Sequence, residues 1–387
     1  MAEFKVEVHR LTIEEHPNAD ALELAVIGGY HSIVRKGDFK TGELAVYIPE
    51  QALVPEWLIK EMGLEGRLAG KAHNRVKAVK LRKHLSQGLV YAAREAGISN
   101  FVAAMGDDGV LHRHAVHEGQ DVTELLGITK WEPKMPSAMN GKCWNAMGRT
   151  VHYDIENWKR YPTILEDREE VVFTEKIHGT WCCFGKSGDD YIVTSKGLSD
   201  RGLAFVLDED NANNIYVRHF LEYGGKEILD MFMHITGHED CYILGELFGP
   251  IQDLKYGLGN KPAFRIFDIY IGNTSGRGTR GNYYYSPTMM GVIVKDINIL
   301  NAQRGIDVVA ETVPELYRGP FSEAVMNEYT NGMETVSGNE EHIREGIVMN
   351  PVKERDSSEI GRVILKSVSE AYLLRKGKKG EEVTEFN

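Results

Sequence analysis

The chain has 387 residues, 42% of them hydrophobic and 26% charged, with a formal net charge of −12. That composition is ordinary for a globular protein, and the length suits two domains. It contains no apolar run of about 18 residues, which excludes a membrane-spanning helix. The net acidity argues against wholesale binding of a polyanion, so any phosphate contact has to come from local basic patches.

The start, Met1–Glu7, is charged and alternating and does not read as a secretion signal. The four cysteines, Cys143, Cys182, Cys183 and Cys241, form neither a disulfide framework nor a zinc ribbon. They fit a reducing, cytoplasmic setting.

From the N-terminus to about residue 130 the chain reads as short strands separated by turns: Lys5–Val8, Ala21–Ile27, His31–Val34 and Gly42–Ile48. This spacing predicts a small barrel or sandwich. His16-Pro17-Asn18-Ala19-Asp20 resembles the turn that opens OB-fold tRNA-binding modules. A basic stretch follows, containing Arg75, Lys77, Lys80, Arg82 and Lys83 interleaved with Val76, Val79 and Leu81. On a barrel strand this alternation would give one cationic face for a nucleic-acid backbone. His112, His114 and His117 lack acidic or cysteine partners at metal-ligand spacing and read as surface histidines.

Residues 131–150 read as a linker, with Pro133 and Pro136 among polar residues. A second domain then runs over 151–387, starting with a short helix near Asp154 that ends before Pro162. Val171–Thr174 is strand-like and delivers Glu175-Lys176-Ile177-His178-Gly179; Gly185–Asp190 turns the chain back towards Ser195-Lys196. Helices are predicted over 215–223 and 226–235, and strands over 241–249 and 263–271. Gly276–Gly281 fits G-x-G-x-x-G but leads into Tyr283-Tyr284-Tyr285 rather than a helix, so it reads as a loop and not a dinucleotide site. Residues 288–302 read as strand or mixed structure, 315–335 as helix, and 342–349 and 362–366 as strands. The chain ends in a basic run, Arg375-Lys376-Gly377-Lys378-Lys379, and an acidic tip.

Four features stand in order along the second half: Lys176 before Gly179, Glu246 between Gly245 and Gly249, Glu345 before Gly346, and Lys366. With Tyr153–Asn157, Ser195-Lys196 and Phe267-Asp268, this order resembles the covalent nucleotidyltransferases, a group that includes DNA ligases and capping guanylyltransferases. Within it, the chain is most similar to ATP-dependent RNA ligases carrying an N-terminal OB-like domain. The resemblance implies an α+β protein, with an OB-like β-barrel followed by a nucleotidyltransferase domain of antiparallel sheets flanked by helices. It implies ATP and Mg²⁺ (or Mn²⁺) as cofactors, RNA or an RNA-containing nicked duplex as partner, no membrane, and a monomer. Lys176 and Lys366 would be catalytic, with Lys176 the nucleophile. Glu175, Ile177, His178, Gly179, Ser195, Lys196, Glu246, Phe267 and Glu345 would hold the nucleotide, and Glu345 and Glu246 the metal. The alternatives are a DNA ligase, a capping-type guanylyltransferase, or an inactive RNA-binding relative. Two positions depart from the family pattern: His178 replaces the aspartate of Lys-x-Asp-Gly, which addresses the ribose, and Ile364 replaces the first lysine of Lys-x-Lys. Arg362, on the same strand face as Lys366, is a candidate for the missing charge.

Overall fold

The computed structural model describes residues 4–95, 98–272 and 283–375. The Gly276–Gly281 loop and residues 376–379 of the basic run lie outside the described residues.

In the N-terminal part, Glu7–Arg10, Leu44–Ile48 and Leu89–Ala92 form one antiparallel sheet, and Thr12–Glu15, Leu22–Ile27 and Tyr30–Arg35 form another. Alternation sorts their side chains: Val8, Val46 and Ile48 enter one core with Leu58 and Leu126, whereas Ala45 and Tyr47 face a second with Leu11 and Ile27. The His16–Asp20 turn precedes Leu22–Ile27, and the Asn18 amide donates to His16 Nδ1 at 3.1 Å.

The basic stretch does not lie along a barrel strand. Val79–Leu81 pairs only with His84–Ser86, and Arg82 and Lys83 adopt left-handed φ values of 48° and 69° at the tip, as a tight hairpin turn requires. Val79 and Leu81 are exposed like their basic neighbours, so the apolar face of this two-stranded ribbon does not lie on a core. Arg75 is buried, its guanidinium 4.0 Å from the Trp131 ring centroid. Lys77 is half-buried, and Lys80 forms an ion pair with Glu370.

The C-terminal part holds two five-stranded sheets. One runs Glu156–Asn157, Leu365–Val368, Gly346–Pro351, Glu170–Lys176, Glu315–Pro320; the other runs Asp190–Ser195, Gly179–Ser187, Cys241–Phe248, Ala263–Ile271, Tyr283–Tyr284. The first sheet carries one parallel pair, at Glu156–Asn157. Successive residues of Gly179–Ser187 split between two cores. Cys182 and Phe184 pack under the helices Ile215–Glu222, Gly225–Thr236 and Pro287–Gln303, and Trp181 and Cys183 pack towards Val348 of the first sheet and Ile364 just before its strand Leu365–Val368. Ile177 and His178 are the link between the sheets: the first ends at Lys176 and the second begins at Gly179.

Four local expectations change. Residues 131–150 are more than a linker, because Cys143–Asn145 pairs with Leu203–Phe205 and Met139 is buried in the core; three paired residues are too few to show through a polar composition. The helix expected near Asp154 is the strand Glu156–Asn157 and a 3₁₀ turn, Trp158–Arg160, because pairing with Leu365–Val368 overrides the capping signal. Residues 287–303 are helical despite many β-branched side chains: Ser286 caps the end, Pro287 opens it, and Met290, Ile293, Val294, Ile297 and Asn301 are buried at helical spacing. Only the middle of 315–335 is helix, Glu323–Thr330, because Glu315–Pro320 is drawn into the sheet beside Glu170–Lys176.

Candidate active site

Sheet register brings the separated motifs together. Lys176 lies opposite Gly346, and Glu175 opposite Ile347, which places Glu345 beside the lysine; Val348 lies opposite Lys366. In the other sheet Trp181 lies opposite Glu246. A Cβ on Gly179 would strike the Leu247 carbonyl and the Glu246 side chain, so glycine here permits the close approach of two strands.

Two cavities meet at this point. One, of about 680 Å³, is lined by Glu175, Lys176, Ile177, Ser195, Lys196, Glu246, Phe267 and Lys366. The other, of about 380 Å³, lies between the two parts of the chain and is lined by Tyr30, Tyr47 and Gln87 on one side and by His178, Gly179 and Glu345 on the other. Lys176, Glu246 and Lys366 line both.

The charges at the shared wall are strongly coupled. Lys176 Nζ is 2.7 Å from Glu345 Oε1. Burial opposes ionisation of Glu345, but Lys176 and His178 outweigh it and hold its carboxyl down at about 2. Glu246 goes the other way: burial, reinforced by the charge of Glu345 against the pull of Lys176, pushes it up to about 8. Burial and then repulsion from Lys176 bring Lys366 down to about 8. Two carboxylates a few residues' reach from one lysine therefore stand in opposite protonation states at neutral pH. This is the separation expected where one must hold charge and the other must acquire it.

In the larger cavity, Glu175 is almost fully buried. Its Oε2 accepts from the Thr335 amide at 2.9 Å and hydroxyl at 2.7 Å, while Oε1 has no hydrogen-bond partner among the described residues. Burial raises its pKa despite those bonds. Lys196 is held by Asp154 at 2.8 Å, Asp200 at 3.3 Å and the Tyr153 carbonyl at 2.8 Å. Phe267 packs against Tyr153, ring centroids 5.3 Å apart, and Ser195 is buried at the strand end.

His178 lines only the smaller cavity, and both its ring nitrogens are engaged: Nε2 with Asp253 at 2.7 Å, Nδ1 with the Tyr372 hydroxyl at 2.8 Å. Burial disfavours its charged form, but Asp253 and Glu345 prevail and raise its pKa. Ile364 is buried in the core between the sheets. Arg362 lines the larger cavity and is paired with Asp268 and Glu354, the latter at 2.8 Å. Sequence reasoning missed Gln252, Asp253, Tyr256 and Tyr372. The first three lie on a loop and Tyr372 is 194 residues from its partner, so no local pattern marks them. Among the described residues, no three His, Cys, Asp or Glu side chains are arranged to hold a metal ion, and His112 pairs with Asp108 at 3.0 Å.

A family model described as RNA ligase matches residues 169–368, more than half of the 387 residues. The chain belongs to the RNA ligase family. A second model, described as an OB-fold domain, matches residues 6–93 and identifies the N-terminal sheets of this ligase as an OB fold. No curated protein matches the chain in sequence. Among solved structures it is similar in fold to a Naegleria gruberi RNA ligase variant with ATP and manganese, at 22% identity and a TM-score of 0.73, covering 96% of this chain and 98% of that one. It is also similar to the same ligase with pyrophosphate, at 22% identity, a TM-score of 0.72 and the same coverage. Among the described residues, no helix is long and apolar enough to cross a membrane.

Proposed function

We propose that the chain joins RNA 3′-hydroxyl and 5′-phosphate ends using ATP, with Lys176 as the nucleophile. The observation that carries this reading is the position of Lys176 at the wall shared by two cavities, beside Glu345, Glu246 and Lys366. One cavity gives the lysine access to a nucleotide, and the other gives the remaining reactants access to the lysine.

The larger cavity fits ATP. Glu175 Oε1, buried and without a partner, is an acceptor for the exocyclic amino group of adenine, and guanine presents a carbonyl there instead. Phe267 offers a ring face, and Ser195 and Lys196 offer polar contacts. The residues also fit a divalent cation: Glu345 is held ionised, and Glu246 ionises when positive charge arrives beside it. Mg²⁺ and Mn²⁺ take oxygen ligands, and Mg²⁺ commonly uses one or two carboxylates and substrate phosphates rather than a protein cage. Glu345 and Glu246 would hold such an ion, which would supply neutralisation of phosphate charge.

In the first step the Lys176 Nζ lone pair forms a bond to the α-phosphorus, the bond from that phosphorus to the bridging oxygen breaks, and pyrophosphate leaves. The amine must first lose its proton and its contact with Glu345. Lys366 carries positive charge below about pH 8 and disfavours a second ammonium beside it. An oxygen of the RNA 5′-phosphate then attacks the phosphorus of lysyl-AMP, and the lysine nitrogen departs with a proton. Finally the 3′-oxygen attacks the activated 5′-phosphorus, its proton is lost, and AMP leaves. The chain's own contribution throughout is positioning and charge. The exposed tip residues Arg82 and Lys83 are candidates for contact with the RNA backbone.

The test is incubation with α-labelled ATP or GTP and Mg²⁺ or Mn²⁺, followed by denaturing electrophoresis. Label from ATP on wild type and none on Lys176→Ala is expected. No adduct from either nucleotide would sink the enzymatic reading, and an adduct from GTP alone would indicate a capping-type reaction. Sealing of nicked duplexes with RNA, but not DNA, at the 3′-hydroxyl side separates RNA from DNA ligation.

A further inference from the structure

The loop that follows Cys241–Phe248 grips the link between the two sheets at three points. Gln252 Nε2 donates to the Gly179 carbonyl, the Tyr256 hydroxyl accepts from the His178 amide at 2.6 Å, and Asp253 Oδ1 is 2.7 Å from His178 Nε2. The imidazole is thereby fixed in ring plane and tilt, with only 2% of the side chain exposed. Its other nitrogen faces the Tyr372 hydroxyl at 2.8 Å and Glu345 Oε2 at 3.7 Å. The second Glu345 oxygen holds Lys176 at 2.7 Å. Behind Asp253, Arg375 Nε donates to Oδ2 at 3.1 Å and its guanidinium lies 3.5 Å from the Tyr372 ring centroid. Arginine, aspartate, histidine, glutamate and lysine thus form one line of contacts, ending at the nucleophile.

We propose that Asp253 is a positioning residue for lysine adenylylation: acting through His178, it orients the Glu345 carboxylate and so sets the approach of Lys176. Where Lys-x-Asp-Gly has a carboxylate at position 178, this chain has histidine, and a carboxylate 75 residues further along, Asp253, is in contact with it. Histidine suits that task because its two nitrogens face opposite ways, which lets it transmit orientation between partners it does not bring into contact. Outer groups that orient a functional carboxylate typically affect rate by about 10–100-fold without touching substrate.

This inference rests on Lys176 forming lysyl-AMP, and single-turnover measurement of that adduct tests it. In Asp253→Asn, which keeps the shape and removes the charge, the rate at saturating ATP falls about 10–100-fold. The half-saturating ATP concentration stays within about threefold, because Asp253 does not line the nucleotide cavity. His178→Gln produces a similar loss, and the double variant is no slower than either single one, since a residue that acts only through another adds nothing once that one is gone. Placing the carboxylate back at position 178, as His178→Asp in the Asp253→Asn background, recovers part of the rate. Additive losses in the cycle, a wild-type rate in Asp253→Asn, or loss of ATP binding in that variant would each overturn the proposal; the last would mean that Asp253 merely holds the fold. If wild type itself forms no adduct, the ligase reading fails first, and a competent wild type with an indifferent Asp253→Asn refutes the positioning role alone.

Discussion

The two cavities that meet at Lys176 are built differently. At the larger one, the wall that carries Glu175, Lys176, Glu246, Phe267 and Lys366 is made of strands of the two C-terminal sheets, whose positions are set by sheet register. The smaller one is closed by contacts between distant segments: the Gly29 amide donates to the Lys159 carbonyl at 2.6 Å, Lys159 Nζ donates to Gln87, and Arg160 meets Glu7 at 2.8 Å. A register fixes side chains within a rigid sheet. A seam of a few polar contacts between two bodies is held less tightly, and interfaces of that kind permit relative motion. The nucleotide side is therefore expected to be preformed, and the interdomain side to respond to its occupant.

Lys366 lies on the wall common to both cavities and produces the largest effect expected here. Lys366→Met removes a cation from the wall shared by the two cavities while keeping the length of the side chain. A loss of about 10²–10³-fold in the single-turnover rate of lysyl-AMP formation is expected. A loss under fivefold would remove Lys366 from the phosphate and leave the shared wall without a catalytic meaning.

Glu175→Gln tests the preformed side. One oxygen accepts two hydrogen bonds from Thr335 and the other is open, so the amide keeps the shape but turns one acceptor into a donor. Discrimination of ATP against GTP in adduct formation should narrow by about tenfold, equivalent to about 1–2 kcal/mol for one buried hydrogen bond. Unchanged discrimination would place the adenine amino group elsewhere.

How much of this was legible in the sequence follows the same division. Lys176, Glu246 and Glu345 sit at or near strand ends with a glycine within three residues, and Lys366 lies on a short strand, so strand and glycine spacing survives as a local pattern for the first three. Asp253 and Tyr372 reach His178 from a loop and from the short helix Glu370–Leu373, and nothing local announces them. The position of His178 was legible as a departure, but its surroundings were not, because its partner Asp253 is a tertiary neighbour. The OB fold showed in strand spacing. The basic alternation was expected on a barrel strand and lies instead on a separate hairpin, because alternation alone does not say which strands a segment pairs with.

Glu246 gives a pH-dependent test of the shared wall. In the nucleotide-free fold its carboxyl holds a proton to about pH 8, against an ordinary value of 4.5. Between those two pH values the folded state binds a proton that the unfolded state has released, so stability falls as pH rises through the window. The full shift sets a ceiling of about 5 kcal/mol, and relaxation around Lys176 leaves an expected effect of about 1–2 kcal/mol. Glu246→Gln should match wild type in thermal midpoint near pH 5 and exceed it by about 2–5 °C near pH 8. A midpoint difference that does not vary with pH would show that Glu246 is ionised in the free protein.

The smallest effect is expected furthest from Lys176. Arg82 and Lys83 are exposed at the tip of the Val79–Ser86 hairpin, which is tied to the C-terminal part through the ion pair of Lys80 with Glu370. Neither lines either cavity, so replacing both with alanine should leave lysyl-AMP formation unchanged. If the tip follows an RNA backbone, each residue contributes up to one displaced counterion, and the slope of log K against log salt for RNA binding should shrink by about 1–2. Lys80→Ala separates anchoring from contact. Loss of the Glu370 tie leaves the tip's own charges in place, so the slope should change by about one or less while the end of the hairpin gains freedom. A slope unchanged in the Arg82 and Lys83 double variant would move the RNA path off this hairpin and onto the seam around Lys159 and Arg160, where the smaller cavity opens towards the same lysine.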